Sequence, residues 1–393
     1  MPSQQLPSIT HSMHIITDNT ALAAFCKAAL RHPYMTIDTE FIRERTYFPQ
    51  LCLVQVAYEG DAAIIDPLSD GIDLAPLFAL LQNPKIVKVF HAARQDIEIF
   101  YHLSGQMPVP IFDTQIAASV CGHGESASYE ALVNAVVGAS VDKSSRYSDW
   151  AARPLSEVQL SYALSDVTHL RVIYEKLKAE VEAAGRSAWI DEEFAHLTDT
   201  TLYDNDPQAA YKRIKAGSLK PRHLVVLRAL AAWREELARS SDVPRGRIVK
   251  DEVMVELALV SPKSEAELSR IRNINAGLAK KHIKAILACV EAALALPAAD
   301  WPQVNRGRKQ PEGTATVVSM LQLLLKVQAD QHNIAGSMIA NKDDLEALAL
   351  GVECALTSGW RYDVFGKSAE ALMTGKLKIS LDPKKKSVVL EEG

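Results

Sequence analysis

The chain has 393 residues, of which 48% are hydrophobic and 23% charged, and this length predicts two or three domains. No apolar run approaches the roughly 20 residues that cross a bilayer, and the amino terminus lacks a charged start followed by an apolar run, so neither a membrane span nor a signal peptide is predicted. The five scattered cysteines form no CxxC pair, which argues against a zinc ribbon or a disulfide framework and suits a reducing cytoplasm.

The net charge is unevenly distributed along the chain. The whole chain carries −5, but residues 211–297 contain 17 Lys+Arg and 9 Asp+Glu, a local net charge of +8. An acidic part joined to a basic part suits an enzyme that gathers metal ions in one domain and holds a polyanion with another. Solvated helix faces would give the same imbalance, so the charge alone leaves both interpretations open.

The first third of the chain alternates between strand and helix patterns. Strands are predicted at Met35–Phe41, Leu51–Ala57, Ala62–Asp66 and Ile86–Phe90. Helices are predicted at Leu74–Leu81, Gln95–Leu103, Thr114–Val120, Tyr129–Val137 and Ser156–Ala184. Three early strands in hairpin succession, followed by β–α alternation, predict an α/β fold with a mixed sheet and helices on its faces.

Beyond residue 207 the pattern is helical. We divide the chain into residues 1–205, a helical segment at 211–297, a second helical segment at 312–376, and residues 377–393, which are expected to be a solvated tail. The two helical segments look weakly alike, with Ile248 matched to Ile334, so a duplicated module is one interpretation.

Two acidic residues share one face of the first predicted strand. Side chains alternate across a strand, so Asp38 and Glu40 point the same way while Thr39 points the other. Like charges about 7 Å apart repel each other unless a cation lies between them, and carboxylates are the ligands that Mg²⁺ and Mn²⁺ prefer. A solvent-exposed strand end would carry the same pair without any metal.

A third acidic residue, Asp96, follows the apolar run Ile86–Phe90 at the start of a helix. Acidic residues complement the helix dipole there, so a capping role would explain it. Alternatively, it lies near the carboxyl end of the preceding strand, where open α/β sheets place their sites.

The fourth acidic residue, Asp166, lies on the long predicted helix. Tyr162 is four residues earlier and therefore adjacent on the helix surface, beside an apolar stripe. A carboxylate beside such a stripe needs a partner, which could be a metal ion or a Lys or Arg from elsewhere. A phenol at this spacing could reach a water bound near the same carboxylate.

Asp-x-Glu on a first strand, an Asp after a later strand and Tyr-x-x-x-Asp on a closing helix together resemble the tyrosine-bearing branch of the DEDD exonucleases. Further motifs are similar to ribonuclease D in particular: Ile37-Asp-Thr-Glu-Phe41, Pro49-Gln-Leu51, Gln55, Phe112-Asp-Thr-Gln115, Asp149–Leu155 and Tyr162–Val167. The basic helical segment resembles the HRDC module of ribonuclease D and RecQ helicases, and Trp360–Gly366 resembles the carboxyl end of the family.

The resemblance implies a ribonuclease H-like sheet followed by two all-α HRDC-like domains. It implies that Asp38, Glu40, Asp96 and Asp166 hold two divalent cations, Mg²⁺ or Mn²⁺, while Tyr162 orients the attacking water. The implied activity is a cytoplasmic, monomeric 3′→5′ exoribonuclease that trims the 3′ end of transfer RNA precursors and releases nucleoside 5′-monophosphates.

The resemblance also suggests residues that contact the substrate. Near the carboxylates these are Thr39, Phe41, Gln55 and His91. In the basic segment they are Lys212, Arg245 and Lys281, from a wider set of candidates for phosphate contacts: Arg213, Lys215, Arg247, Lys250, Lys280 and Lys284. Two rivals stay open at this stage. One is a DEDD exonuclease that acts on DNA, and the other is an inactive nucleic-acid-binding scaffold.

Overall fold

The computed structural model describes residues 14–142, 148–271, 276–303 and 311–393, with the side chains of residues 276–280 left out. The chain divides into two compact units. The first takes in Met1–Glu40, Cys52–Thr198 and Lys309–Gly393, and the second takes in Phe41–Leu51 and Asp199–Arg308. Residues 309–393 therefore belong to the same compact unit as most of the first half of the chain.

A six-stranded mixed sheet organises the first half of the chain. Its strands are β1 (Ile15–Ile16), β2 (Tyr34–Ile42), β3 (Gln50–Tyr58), β4 (Asp61–Ile65), β5 (Val87–Phe90) and β6 (Ile111–Asp113). Their spatial order is β1-β4-β3-β2-β5-β6. β3 and β4 are antiparallel, whereas β1 is parallel to β4, and β5 is parallel to both β2 and β6. The predicted mixed sheet is confirmed, although β1 and β6 did not appear in the sequence pattern because they are only two and three residues long.

Helices flank this sheet. They are α1 (Asn19–Ala29), α2 (Ala75–Leu81), α3 (Arg94–Ser104), α4 (Thr114–Val120), α5 (Tyr129–Leu132, continued by a π turn at Val133–Val137), α6 (Glu157–Ala183) and α7 (Ser187–Leu197). The longest, α6, begins where the sequence predicted, because Ser156 and Gln159 form a reciprocal capping box. Among the described residues, no helix combines the length and apolarity needed to cross a membrane.

The rest of the chain is mostly helical. The second unit contains α8 (Pro221–Ser241), α9 (Arg245–Ile248), α10 (Asp251–Val260), α11 (Glu265–Leu268) and α12 (Ala276–Ala295). The third segment contains α13 (Thr314–His332), α14 (Gly336–Ile339), α15 (Lys342–Ala349), α16 (Gly359–Arg361, continued by a π turn at Tyr362–Gly366) and α17 (Lys367–Met373). Each segment has its own cluster of buried apolar side chains.

The two helical segments begin with the same local pattern. In each, a long helix ends at a residue with a positive φ of 49°, Asp242 in one and Asn333 in the other, and a four-residue helix follows. Ile248 ends the first short helix and Ile339 ends the second. Ile248 therefore corresponds to Ile339, and the expected match to Ile334 is wrong by five residues.

The last residues are not the solvated tail that we expected. They form an antiparallel hairpin of β7 (Leu377–Asp382) and β8 (Ser387–Glu392). Leu377, Ile379 and Leu390 pack against the apolar cluster of the third segment, so the alternating apolar side chains of these strands have a core to cover. The lysines that indicated a tail lie in the exposed turn between the strands.

Candidate active site

The sheet brings three acidic positions to one edge. Because β2, β5 and β6 run in the same direction, their carboxyl ends lie together. Asp38 and Glu40 lie in the second half of β2, partly exposed on one face. Asp96 lies in the first turn of α3, just after β5, and is 7% exposed. Asp166, also 7% exposed, reaches the site from the middle of α6.

Three of the predicted carboxylates form a tight cluster. One ligand oxygen from each of Asp38, Glu40 and Asp166 lies within 4.8 Å of the other two. Asp96 is not part of this triple, and instead its Oδ1 accepts a hydrogen bond from the Thr39 hydroxyl, whose residue lies between the two acids of β2. Its charge is still close enough to raise the pKa of Glu40. The structure therefore gathers three of the four expected carboxylates within coordinating distance and places the fourth beside them.

Burial and mutual repulsion strongly perturb these acids. Desolvation raises the pKa of Asp38 to about 6. Desolvation, followed by the charges of Asp38, Asp166 and Asp96, raises the pKa of Glu40 to about 9. Desolvation and the charge of Asp38 raise the pKa of Asp166 to about 8, and the same two causes raise that of Asp96. Four acids held at such pKa values are typical of a site that a cation completes.

Two aromatic side chains border Asp166. The Tyr162 hydroxyl hydrogen-bonds to the Asp166 carboxylate, and its ring stacks 6.2 Å from that of Trp150. Among the described residues, the buried Oδ1 of Asp166 has no hydrogen-bond partner. A buried carboxylate oxygen without a donor is costly, and a metal ion would satisfy it. The predicted neighbourhood of Tyr162 and Asp166 is therefore present.

Asp113 is a structural member of the site, although in the sequence it is recognisable only as part of the motif Phe112-Asp-Thr-Gln115. It ends β6, is 2% exposed, and accepts backbone N–H bonds from Ala92 at 3.1 Å and Ala93 at 2.8 Å. Ala92 has a φ of 57°, which a residue with a side chain adopts only when its surroundings hold it. The carboxylate therefore fixes the turn that leads from β5 into α3 and thus the position of Asp96.

An ion pair between Arg153 and the buried Asp66 fixes the segment that carries Trp150. Arg153 donates to both carboxylate oxygens of Asp66 at 2.7 Å and to the backbone oxygens of Cys52 and Trp150 at 2.8 Å. Planar, two-pronged guanidinium binding of this kind is geometrically specific. Because Trp150 stacks on Tyr162, the ion pair holds one wall of the site in place.

A pocket of about 330 Å³ opens beside the acidic cluster. Asp38, Tyr162, Asp166 and His91 line it, together with Ser128 and Tyr129 at the start of α5. The Tyr129 hydroxyl donates to the backbone oxygen of Asp166, and its ring lies 5.5 Å from that of His91. Sequence reasoning identified Tyr129 only as the start of a helix, because nothing in its neighbours along the chain indicates a contact 37 residues away.

The four residues near the acids that were predicted to contact the substrate lie in different surroundings. His91 lines the pocket, and its Nδ1 lies 3.0 Å from the Thr114 hydroxyl. Thr39 is bonded to Asp96, and Phe41 lies further along the same strand, half-buried. Gln55 is fully buried, and within the described parts of the chain neither atom of its amide has a hydrogen-bond partner.

The basic candidates also differ in availability. Lys212 and Lys281 are exposed. Arg245 instead holds the 1%-exposed carboxylate of Glu235 through two nitrogens and stacks over Tyr47, all within the second unit. The guanidinium of Arg245 is thus engaged in a buried cluster. The side chain of Lys280 lies outside the described residues.

Comparisons with known proteins agree with this geometry. The family model described as "3'-5' exonuclease" matches residues 13–182, and the HRDC domain model matches residues 223–290. Ribonuclease D of Jannaschia sp. is 44% identical over 96% of this chain and 99% of its own, and that of Bartonella henselae is 44% identical over 95% and 93%. The crystal structure of Escherichia coli RNase D, described as an exoribonuclease involved in structured RNA processing, superposes with a TM-score of 0.83 at 32% identity. It covers 93% of this chain and 99% of that one.

The chain belongs to the ribonuclease D family. It is a hydrolytic 3′→5′ exoribonuclease whose nuclease region precedes an HRDC domain. Membership of this family favours the exoribonuclease over the inactive scaffold and the DNA exonuclease that the sequence had left open. The acidic cluster of Asp38, Glu40 and Asp166 fits an exonuclease that depends on divalent metal.

Proposed function

We propose that the chain trims 3′ extensions of structured RNA, such as transfer RNA precursors, with two divalent cations bound by Asp38, Glu40, Asp96 and Asp166. The observation that supports this most strongly is the triple of carboxylate oxygens within 4.8 Å of one another. Three negative charges at that distance repel strongly, and Mg²⁺ or Mn²⁺ would neutralise them. In the part of the chain that the structure describes, Oδ1 of Asp166 has no hydrogen-bond partner and would be available as a ligand atom at the same place.

The residues of the chain have distinct tasks in this proposal. When bound, the cations would acidify a water molecule and stabilise the leaving 3′ oxygen. Tyr162, whose hydroxyl lies against Asp166, orients the attacking water by a hydrogen bond. Arg153, by binding Asp66 and the backbone of Trp150, keeps the aromatic wall beside Tyr162 fixed. Geometry of this kind, set before the substrate arrives, is how a site lowers the cost of reaching the transition state.

The pocket beside the carboxylates would hold the 3′-terminal nucleotide. Its volume of about 330 Å³ is at the small end of ligand pockets, which suits the removal of one nucleoside 5′-monophosphate at a time. His91 and Tyr129 supply ring edges and polar atoms at its wall. The choice of structured RNA rests on the similarity to Escherichia coli RNase D, an exoribonuclease involved in structured RNA processing.

The second unit would hold the RNA backbone. Lys212 and Lys281 are exposed cations in a segment with a net charge of +8. Contacts from such residues to phosphates position a strand without reading its sequence. We further propose that the enzyme acts as a monomer in the cytoplasm, which agrees with five free cysteines.

The experiment uses a transfer RNA with a short 3′ extension, labelled at its 5′ end, and a DNA oligonucleotide of matching length. With Mn²⁺ or Mg²⁺ we expect the RNA to shorten stepwise from the 3′ end, nucleoside 5′-monophosphates to accumulate, and EDTA to stop the reaction. Preferential digestion of DNA, or products with 3′ phosphates, would contradict the proposal.

A further inference from the structure

The third helical segment holds the loop that leads into the pocket. We call residues 121–128 the wall loop and residues 333–337 the clamp, and both belong to the first compact unit. The Ala335 N–H donates to the Ser119 backbone oxygen at 3.0 Å, just before the wall loop. The Ser337 N–H donates to the Glu125 carboxylate at 3.1 Å.

One glycine of the wall loop lies directly against the clamp. Gly122 has a φ of +81°, and a Cβ placed there would lie 2.3 Å from the side-chain amide of Asn333. The same amide group donates to the Cys121 backbone oxygen at 3.5 Å. Real Cβ atoms do not approach heavy atoms so closely, so a side chain at position 122 would have to displace the Asn333 amide from the Cys121 backbone oxygen or separate the wall loop from the clamp.

The wall loop ends at residues that line the pocket. Ser128 caps α5 by accepting from the Ala131 N–H at 3.2 Å, which fixes where the helix begins. The next residue, Tyr129, donates its hydroxyl to the backbone oxygen of Asp166 and lies against His91. A displacement of the loop would therefore be passed within a few residues to the wall that faces the acidic cluster.

Helix α4 provides a second connection between the clamp and the pocket. At its start, the Thr114 hydroxyl lies 3.0 Å from His91 Nδ1. At its end, Ser119 accepts from the clamp, and Arg186 donates to the backbone oxygens of both Val120 and Asn333. The clamp thus holds the far end of a short helix whose near end supports a pocket residue.

We infer that the clamp, through the backbone N–H groups of Ala335 and Ser337, positions the pocket wall for the 3′ end of the RNA, so that a segment far along the chain from the catalytic motifs is a positioning element for this reaction. This inference rests on the proposed role of the pocket. A cavity of about 1050 Å³ opens beside the clamp and is lined by Gly122, Gly124 and Glu125 as well as by the clamp. The loop therefore has space into which it can shift, and a disturbed clamp moves the wall while the unit stays folded.

The first test compares two alanine substitutions in the full-length protein. Gly122→Ala adds a Cβ against Asn333, whereas Gly124→Ala adds one where no atom lies within 4 Å. Both positions have positive φ, +81° and +100°, so alanine strains the backbone at either one, whereas only Gly122→Ala also meets the clamp. We expect Gly122→Ala to raise KM for a 3′-extended RNA about tenfold with kcat within about twofold, and Gly124→Ala to change KM less than about twofold.

A compensating substitution then asks whether the contact causes the effect. Asn333 has a φ of 49°, which glycine adopts without strain, so Asn333→Gly removes the obstructing amide and keeps the backbone. In Gly122→Ala/Asn333→Gly we expect KM to return to within about twofold of Gly124→Ala. A second pair of variants tests the contact between Glu125 and Ser337. Glu125→Gln keeps an oxygen that accepts from the Ser337 N–H and should preserve KM. Glu125→Ala removes that oxygen and should raise KM.

Binding of the same RNA is also measured in EDTA. We expect the Kd to rise in Gly122→Ala and to return close to the Gly124→Ala value in Gly122→Ala/Asn333→Gly, as KM does. Equal KM and Kd for Gly122→Ala and Gly124→Ala, or no recovery with Asn333→Gly, would overturn the inference. A lower melting temperature with unchanged KM would also overturn it, because a purely structural contact predicts that result. If the wild type digested no RNA, the proposed chemistry would fail, while the Kd ratios would still decide the role of the clamp.

Discussion

Removing one carboxylate should stabilise the metal-free protein at high pH. Two unit charges 4.8 Å apart, the largest separation within the triple of Asp38, Glu40 and Asp166, repel by about 3.5 kcal/mol at an effective dielectric constant of about 20. The raised pKa values, about 6, 9 and 8, mean that protonation relieves this repulsion at low pH. Between about pH 4 and pH 9 the folded state binds more protons than the unfolded state, so the free energy of unfolding falls as pH rises.

We therefore expect Asp38→Asn, in EDTA, to match the wild type near pH 4, below the raised pKa values, and to exceed its free energy of unfolding by about 1–3 kcal/mol at pH 9. For a unit of this size that is a rise of about 3–8 °C in the melting temperature. Added Mn²⁺ should stabilise the wild type and have much less effect on the variant, because the ligand is gone.

The assay is thermal unfolding followed by circular dichroism, with and without Mn²⁺, at both pH values. Asp70→Asn is the control, since Asp70 is exposed and its substitution removes the same charge outside the site. If Asp38→Asn were less stable than the wild type at pH 9 in EDTA, or if the two proteins gained equally from Mn²⁺, the account of repulsion at this cluster would be refuted.

Three further predictions concern the ion pair of Arg153, the buried Lys88 and the exposed lysines of the second unit. Arg153→Lys should lower kcat at least tenfold in steady-state assays, since a lysine cannot bind both oxygens of Asp66, and an unchanged kcat would contradict the wall's role. Lys88 is fully buried and donates hydrogen bonds to three backbone oxygens. Lys88→Met should therefore lower the free energy of unfolding, measured by urea denaturation, by about 3 kcal/mol. A loss below about 1 kcal/mol would contradict a stabilising role for these hydrogen bonds. Lys212→Ala and Lys281→Ala should each lower the slope of log Kd against log salt for single-stranded RNA by about 0.7, and an unchanged slope would mean that the residue does not contact phosphate.

The sequence predicted the sheet and the acidic cluster because both follow from short-range patterns. Alternation along β2 places Asp38 and Glu40 on one face, and the helical spacing of Tyr162 and Asp166 places their side chains together. The start of α6 was visible because capping is a local signal. In each case the residues that decide the structure are within a few positions of one another.

Other features depend on contacts between distant parts of the chain and left no local pattern. β6 has only three residues, so neither it nor the role of Asp113 in holding the turn before α3 could be recognised. Arg245 looked like a free cation because its partner Glu235 lies on another helix. The hairpin at the end of the chain was interpreted as a tail because its three turn lysines outweighed the short apolar strands on either side.

The most direct test of the central claim is the rate at which Asp166→Asn digests 3′-extended RNA with saturating Mn²⁺. Asn keeps the size of the side chain, removes the negative charge and replaces one of the two carboxylate oxygens beside Tyr162 with an NH2 group, which cannot bind a metal ion. If this carboxylate completes the catalytic metal site, kcat should fall at least about 10³-fold while RNA binding in EDTA stays unchanged. A variant that retains more than about a tenth of the wild-type kcat would show that the acidic cluster is not the centre of the chemistry.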